Sequence, residues 1–149
     1  FFMARAESEL RRAVRYGKPL SLLMLDVDHF KQINDSHGHK VGDAALQTLT
    51  ATCQSALRDI DVLGRLGGEE FAVLLPETDL GLALTVAERL RAAVARAPLP
   101  LEDGGSVQLS ASFGVASMLG ADDNLDALLG RADRALYAAK DSGRNAVRS

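Results

Sequence analysis

Glu69 and Glu70 stand side by side behind Gly67-Gly68, and Asp26 and Asp28 flank Val27 at the end of an apolar run. Carboxylates brought together in such numbers repel one another, and a hard divalent cation is the usual remedy. A donor set made only of oxygen favours magnesium or manganese over zinc. The chemistry within reach of these residues is therefore that of a bound metal ion. Blander readings of the same residues stay open. Gly-Gly followed by acids is also the make-up of an ordinary solvated hairpin, Asp28 is of a type favoured at helix N-caps, and Asp26 could pair with a lysine.

Those residues need elements to hold them. Two short apolar runs, Val62 to Leu66 and Phe71 to Leu75, predict strands joined by a Gly-Gly turn, with the glutamates at the tip of the hairpin. Leu20 to Val27, apolar on both faces and closed by acids, predicts a buried central strand. An acid at the end of such a strand is costly unless something positive or hydrogen-bonding meets it. If the two strands are neighbours, Asp26 and the glutamates share one site. Helices are predicted from the start to about Tyr16, over His29 to His37 with Phe30 and Ile33 on one side, and over Asp43 to Leu57 with Asp43 near its N-terminus. Gly38 to Gly42 reads as a loop. A long helix follows over Asp79 to Ala97, ended by Pro98 and Pro100. After a polar turn at Glu102 to Ser106, a strand is expected over Val107 to Met118, with Gly114 as a bulge. A helix over Leu125 to Lys140 and an edge strand at Asn145 to Val147 complete the series. The order α β α α β β α β α predicts an α/β sandwich around a mixed sheet.

The composition narrows the partners. The chain has 149 residues, of which 47% are hydrophobic and 25% charged, as expected of one soluble domain over 1–149 with a real core. A net charge of −3 gives no footprint for a nucleic acid polymer, so phosphate groups must be met by local cations or a metal. The single cysteine, Cys53, allows neither an intrachain disulfide nor a cysteine zinc cage, and fits a reducing compartment. The longest apolar run, Leu20 to Leu25, is too short to span a bilayer, and no membrane contact is expected. The chain begins within an amphipathic pattern at Phe1 and Phe2, so it reads as a piece of a longer protein.

Leu25-Asp26-Val27-Asp28-His29-Phe30-Lys31 with Asn34-Asp35, then Gly38-His39, Gly42-Asp43 and Gly67-Gly68-Glu69-Glu70-Phe71, closely resemble the GGDEF family of diguanylate cyclases. Ala132-Asp133-Arg134-Ala135-Leu136-Tyr137-Ala138-Ala139-Lys140 and Gly143-Arg144-Asn145 match the family as well. The resemblance implies a mixed, largely antiparallel five-stranded central sheet flanked by helices, similar to nucleotidyl cyclases and polymerase palm domains. It implies condensation of two GTP molecules into cyclic di-GMP with release of pyrophosphate.

Carried over residue by residue, Asp26, Glu69, the carbonyl of Val27 and, as a further ligand, Glu70 would hold two magnesium or manganese ions per half-site. Glu69 or Glu70 would assist deprotonation of the 3′-hydroxyl, and Lys31 would sit near the transferred phosphoryl group. Asn34 and Asp43 would read the base, since a carboxylate accepts the N1 and N2 protons that guanine has and adenine lacks. Phe30, His39, Gly67 and Gly68 would contact substrate, and Lys140 and Arg144 the phosphates. Arg58-x-x-Asp61, with Arg89 as a second arm, would bind the product as inhibitor. Asp43 as a helix N-cap, Lys140 and Arg144 as partners of the helix dipole, and Arg58–Asp61 as an ordinary surface ion pair remain alternatives. The resemblance also implies a homodimer, a cytoplasmic location, including as the cytoplasmic domain of a membrane receptor, and an N-terminal sensory or dimerisation module that this chain lacks. The Asp-x-Leu-Thr turn usual before the first helix is missing, which leaves activity of the isolated chain open. The alternative function is a non-catalytic module that senses cyclic di-GMP or GTP.

Overall fold

The computed structural model describes all residues, Phe1–Ser149. Along the chain the elements are α1 (Phe2–Tyr16), β1 (Leu20–Val27), α2 (Phe30–His37), α3 (His39–Ser55), β2 (Val62–Gly67) and β3 (Glu70–Pro76). There follow α4 (Leu80–Ala95), β4 (Leu99–Pro100), β5 (Ser106–Val107), β6 (Ala111–Ser117), α5 (Leu125–Asp141) and β7 (Val147–Arg148). The main sheet has the order β2-β3-β1-β6-β7. Only the β6–β7 pairing is parallel, so the sheet is mixed and largely antiparallel. β1 is buried along its whole length, as its two apolar faces require of a central strand.

Alternation along β1 sorts the core into two layers. Leu20, Leu22 and Met24 pack with Phe2, Ala6, Leu10 and Ala13 of α1 and with Leu125, Leu128, Ala132 and Leu136 of α5. Leu23, Leu25 and Val27 face the other way, against Leu46, Leu49 and Cys53 of α3 and Ala83, Ala87, Leu90 and Val94 of α4. Because side chains alternate with period two, Asp26 falls on the α5 face, directly after Met24. Glu70 stands opposite it in register on β3. Cys53 is fully buried, and burial pushes its thiol up to about 12, so it packs and does no chemistry.

Several local expectations change. Gly38 to Gly42 is not a loop, because α3 begins at His39 and only Gly38, with φ 87°, turns the chain between α2 and α3. Val41 and Ala44 lie against the core, which draws this stretch into the helix. The run from Val107 to Met118 is divided: β5 pairs with β4 in a small separate hairpin, and β6 starts only at Ala111. Gly114 forms no bulge. Its register is continuous, opposite Met24, and α5 crosses so closely that a Cβ there would lie 2.2 Å from Ala132 O and from Leu136 N. The last strand is Val147–Arg148, not Asn145 to Val147. No helix is long and apolar enough to cross a membrane.

Candidate active site

The carboxylates meet at one end of the sheet. Gly68 takes φ 53° at the tip of the β2–β3 hairpin, and Arg65 Nε–H donates to Gly68 O at 2.8 Å, closing the turn from outside. The tip carries Glu69 and Glu70 to the end of β1, where Asp26, Glu69, Glu70 and Gly67 line a cavity of about 270 Å³. Asp133, Tyr137 and Lys140 of α5 form its far wall. Asp133 and Tyr137 were not among the expected site residues. Their signal was present in the helix period, since they stand seven and three residues before Lys140 and so share its face.

Asp26 is 6% exposed, and Lys140 Nζ lies 2.5 Å from its Oδ2. The pairing of Asp26 with a lysine is thus in place, and the lysine is one expected to bind phosphate. Even so, burial holds the Asp26 carboxyl above its usual range, with the charges of Asp28 and Glu69 adding to the effect against the pull of Lys140. No three His, Cys, Asp or Glu side chains are gathered closely enough to form a ready metal centre. The donor set nonetheless suits a hard cation: it is all oxygen, and burial disfavours the charged form of Asp26 by more than Lys140 restores.

That burial cost makes a prediction. The folded state holds the Asp26 proton more tightly than the unfolded chain does, so stability falls as pH rises from the ordinary carboxylate range through the raised value. Asp26→Asn is expected to raise the thermal midpoint of the ligand-free domain at pH 7 by about 2–4 °C in calorimetry. A lowered midpoint would mean that the Lys140 pair outweighs the burial.

On the opposite face of the hairpin, Asp43 opens with Arg65 and Phe71 onto a groove of about 700 Å³ between α3 and β2–β3. It is the fifth residue of α3, so it does not cap that helix. Asn34 Oδ1 is buried without a hydrogen-bond partner, pressed against Gly42, where a Cβ would come within 1.8 Å of it. An unpartnered buried acceptor is costly and fits a donor that arrives with a ligand. Lys31 and His39 are exposed at the starts of α2 and α3, and Phe30 is half-buried against the core. Asp28 caps nothing; the N-cap position of α2 belongs to His29, which makes no side-chain cap bond. Arg144 is exposed, in the turn after α5.

Arg58 lies at the other end of the sheet from this cavity, before β2. Its Nη2–H groups reach Asp61 Oδ1 at 2.7 Å, Thr78 Oγ1 at 2.9 Å and Pro76 O at 3.0 Å. Asp61 has a side chain only 2% exposed, and both its oxygens accept from Arg58. Asp61 thereby orients Arg58, whose side chain remains 49% exposed. Arg89 Nη2–H donates to Ala56 O at 3.0 Å, which brings α4 alongside the same loop.

Residues 1–146 match the family model described as "Diguanylate cyclase, GGDEF domain". The chain belongs to this family. Among relatives, the response regulator PleD of Caulobacter vibrioides is 42% identical over 148 residues, covering 99% of this chain and 33% of PleD. This GGDEF domain therefore spans about a third of that curated relative. The active GGEEF domain of a diguanylate cyclase from Vibrio cholerae superposes with a TM-score of 0.90 at 36% identity, over 97% of this chain and 91% of that one. The GGDEF domain of DgcB from Caulobacter crescentus, in complex with c-di-GMP, gives 0.94 at 30% identity, over 99% and 86%. The fold is that of GGDEF cyclase domains, and the signature here reads Gly-Gly-Glu-Glu-Phe, as in the Vibrio domain.

Proposed function

We propose that this GGDEF domain is the catalytic part of a diguanylate cyclase, which joins two GTP molecules into cyclic di-GMP and releases two pyrophosphates. The observation that carries this reading is the gathering of Asp26, Glu69, Glu70 and Lys140 on one cavity at the signature hairpin. Asp26, Glu69 and the Val27 carbonyl, helped by Glu70, would hold two magnesium or manganese ions. Such ions, when bound, lower the pKa of the attacking hydroxyl and neutralise charge on the α-phosphate. The chain's own residues orient and balance. Lys140, Arg144 and Lys31 would neutralise the triphosphate, and Lys140, which pairs with Asp26 in the ligand-free chain, would be free for the phosphates when that carboxylate holds a cation. Asn34 and Asp43 fix guanine by its N–H edge, with Phe30, His39, Gly67 and Gly68 shaping the surround. Glu69 or Glu70 takes the proton of the 3′-hydroxyl, whose oxygen then displaces pyrophosphate from the other GTP.

One chain offers one half-site, whereas the product needs two hydroxyls each facing the other nucleotide's α-phosphate. A two-fold homodimer supplies that arrangement. In the full protein, a further module would bring two copies together in the cytoplasm. Incubation of an artificially dimerised protein with GTP and magnesium, with products separated by chromatography, is expected to yield cyclic di-GMP. Absence of that product from the dimer would overturn the reading.

Arg58 and Arg89 would receive cyclic di-GMP as inhibitor, with Asp61 holding the Arg58 guanidinium in place. Arg58→Ala is expected to relieve product inhibition at least about tenfold, because a charge-assisted contact to guanine or phosphate is lost, while initial velocity stays intact. Unchanged inhibition would return the motif to a structural ion pair.

A further inference from the structure

Asp28 is 5% exposed, and three donors satisfy its carboxylate. Ser112 Oγ–H reaches Oδ1 at 2.6 Å, while Ser110 Oγ–H at 2.7 Å and the Asn145 N–H at 2.9 Å share Oδ2. The serines fix the carboxylate to the start of β6. The third donor comes from the turn that follows α5. That turn is unusual, because Gly143, Arg144 and Asn145 have successive φ values of 115°, 64° and 45°. Two adjacent non-glycine residues in the left-handed region persist only where their surroundings over-determine them.

The surroundings here are explicit. The Arg144 N–H donates to Ala139 O at 3.1 Å, and Ala146 O accepts from the Phe113 N–H at 2.9 Å. Asn145 Oδ1 accepts from Arg91 Nη1–H at 2.8 Å, and Arg91 is itself braced by Glu88 at 2.6 Å. Asp28 and Arg91 therefore hold Asn145 from two sides, and Arg144 is carried between these supports and the end of α5.

We propose that Asp28 is a positioning residue: its carboxylate clasps the 143–145 turn to the end of β1 and sets where Arg144 meets the nucleotide's phosphates, with Arg91 as the second support. This rests on the reading of the domain as one that binds GTP. Asp26 and Asp28, two residues apart, then have different duties. Asp26 faces the cavity, whereas both oxygens of Asp28 are committed to the chain itself. The short strand end thereby fixes the distance between the carboxylate side of the site and one of its phosphate cations.

The test measures equilibrium binding of the α-thio analogue of GTP with magnesium by titration calorimetry, on protein checked for a native thermal transition. Arg144→Ala and Asp28→Asn are each expected to weaken binding about tenfold, and Arg91→Ala about threefold. Asp28→Asn introduced into Arg144→Ala should cost less than about twofold more, because both changes remove one interaction. The magnesium concentration needed for half-maximal binding should not move. Unchanged binding in Asp28→Asn, full additivity with Arg144→Ala, or a raised magnesium requirement would each overturn the proposal, the last by making Asp28 a metal ligand. If Asp28→Asn does not fold, Arg91→Ala decides alone, since that side chain lies on the partly exposed face of α4, and binding unchanged there counts against the clasp. Failure of the parent protein to bind the analogue would instead overturn the GTP reading. If the parent binds and Arg144→Ala binds equally well, the GTP reading stands and the clasp falls.

Discussion

Glu70→Gln is expected to lower cyclic di-GMP formation by about a thousandfold, within the range for losing a positioned proton-transfer group, while leaving the urea midpoint of unfolding almost unchanged. Glu70 opens β3 and stands opposite Asp26, half-buried at the mouth of the cavity. Glutamine keeps the side chain's length and its capacity to accept one hydrogen bond. It removes the charge that would attract a cation and the basicity that would take a proton. The fold has little at stake, since the apolar series of β3 starts only at Phe71 and the hairpin is closed by backbone pairing and by Arg65. A change at such a position typically moves stability by no more than about 0.5 kcal/mol. Chromatographic rates from the dimerised protein and a denaturation curve decide the matter together. Near-normal turnover would remove Glu70 from the mechanism, and a large fall in the midpoint would assign it a structural role.

The parts of the molecule legible in the sequence are those where a local pattern has one physical solution. Leu20 to Val27 is apolar on both faces and closed by acids, and β1 has those bounds. The glycines were harder, because one residue type serves several purposes. Gly42 reads as part of a loop with Gly38, yet it lies within α3 and makes room for Asn34. Gly114 reads as a bulge, yet it marks the closest approach of α5. In both cases the partner lies elsewhere in the chain, so no local pattern separates the readings. The same holds for the site. Asp26 and the glutamates could be brought together by supposing that two strands are neighbours, and the register Asp26↔Glu70 is that pairing. Asp28 could not be understood this way, since its donors lie 82, 84 and 117 residues further on. Asp61 carried a motif but not its burial, and burial is what assigns it to Arg58.

Gly114→Ala tests the packing of α5 on the sheet and, through it, the site. A Cβ at Gly114 would stand 2.2 Å from Ala132 O and Leu136 N, both backbone atoms in the middle of α5. Neither can rotate away, so the helix must lift from β6 as a body. Forcing atoms into a packed interface costs typically 1–3 kcal/mol and occasionally more, and the upper end, about 3 kcal/mol, is expected here. For a domain of this size that lowers the thermal midpoint by roughly 10 °C. Gly64→Ala supplies the comparison. A Cβ there meets Phe2 Cβ, Cγ and Cδ2 at 2.6–2.7 Å, a milder overlap than at Gly114, and Phe2 is the first residue of α1, where the chain end can shift. Its cost should stay near about 1 kcal/mol, at the lower end for overpacking. The two variants also differ in function. α5 carries Asp133, Tyr137 and Lys140 on the face that completes the cavity, so lifting it draws Lys140 away from Asp26. Folded Gly114→Ala should therefore bind GTP more weakly than folded Gly64→Ala when both are measured well below their midpoints. Equal stability of the two variants would show that α5 has slack against the sheet, and that the position of Lys140 is set by its ion pair with Asp26 and not by the packing beneath it.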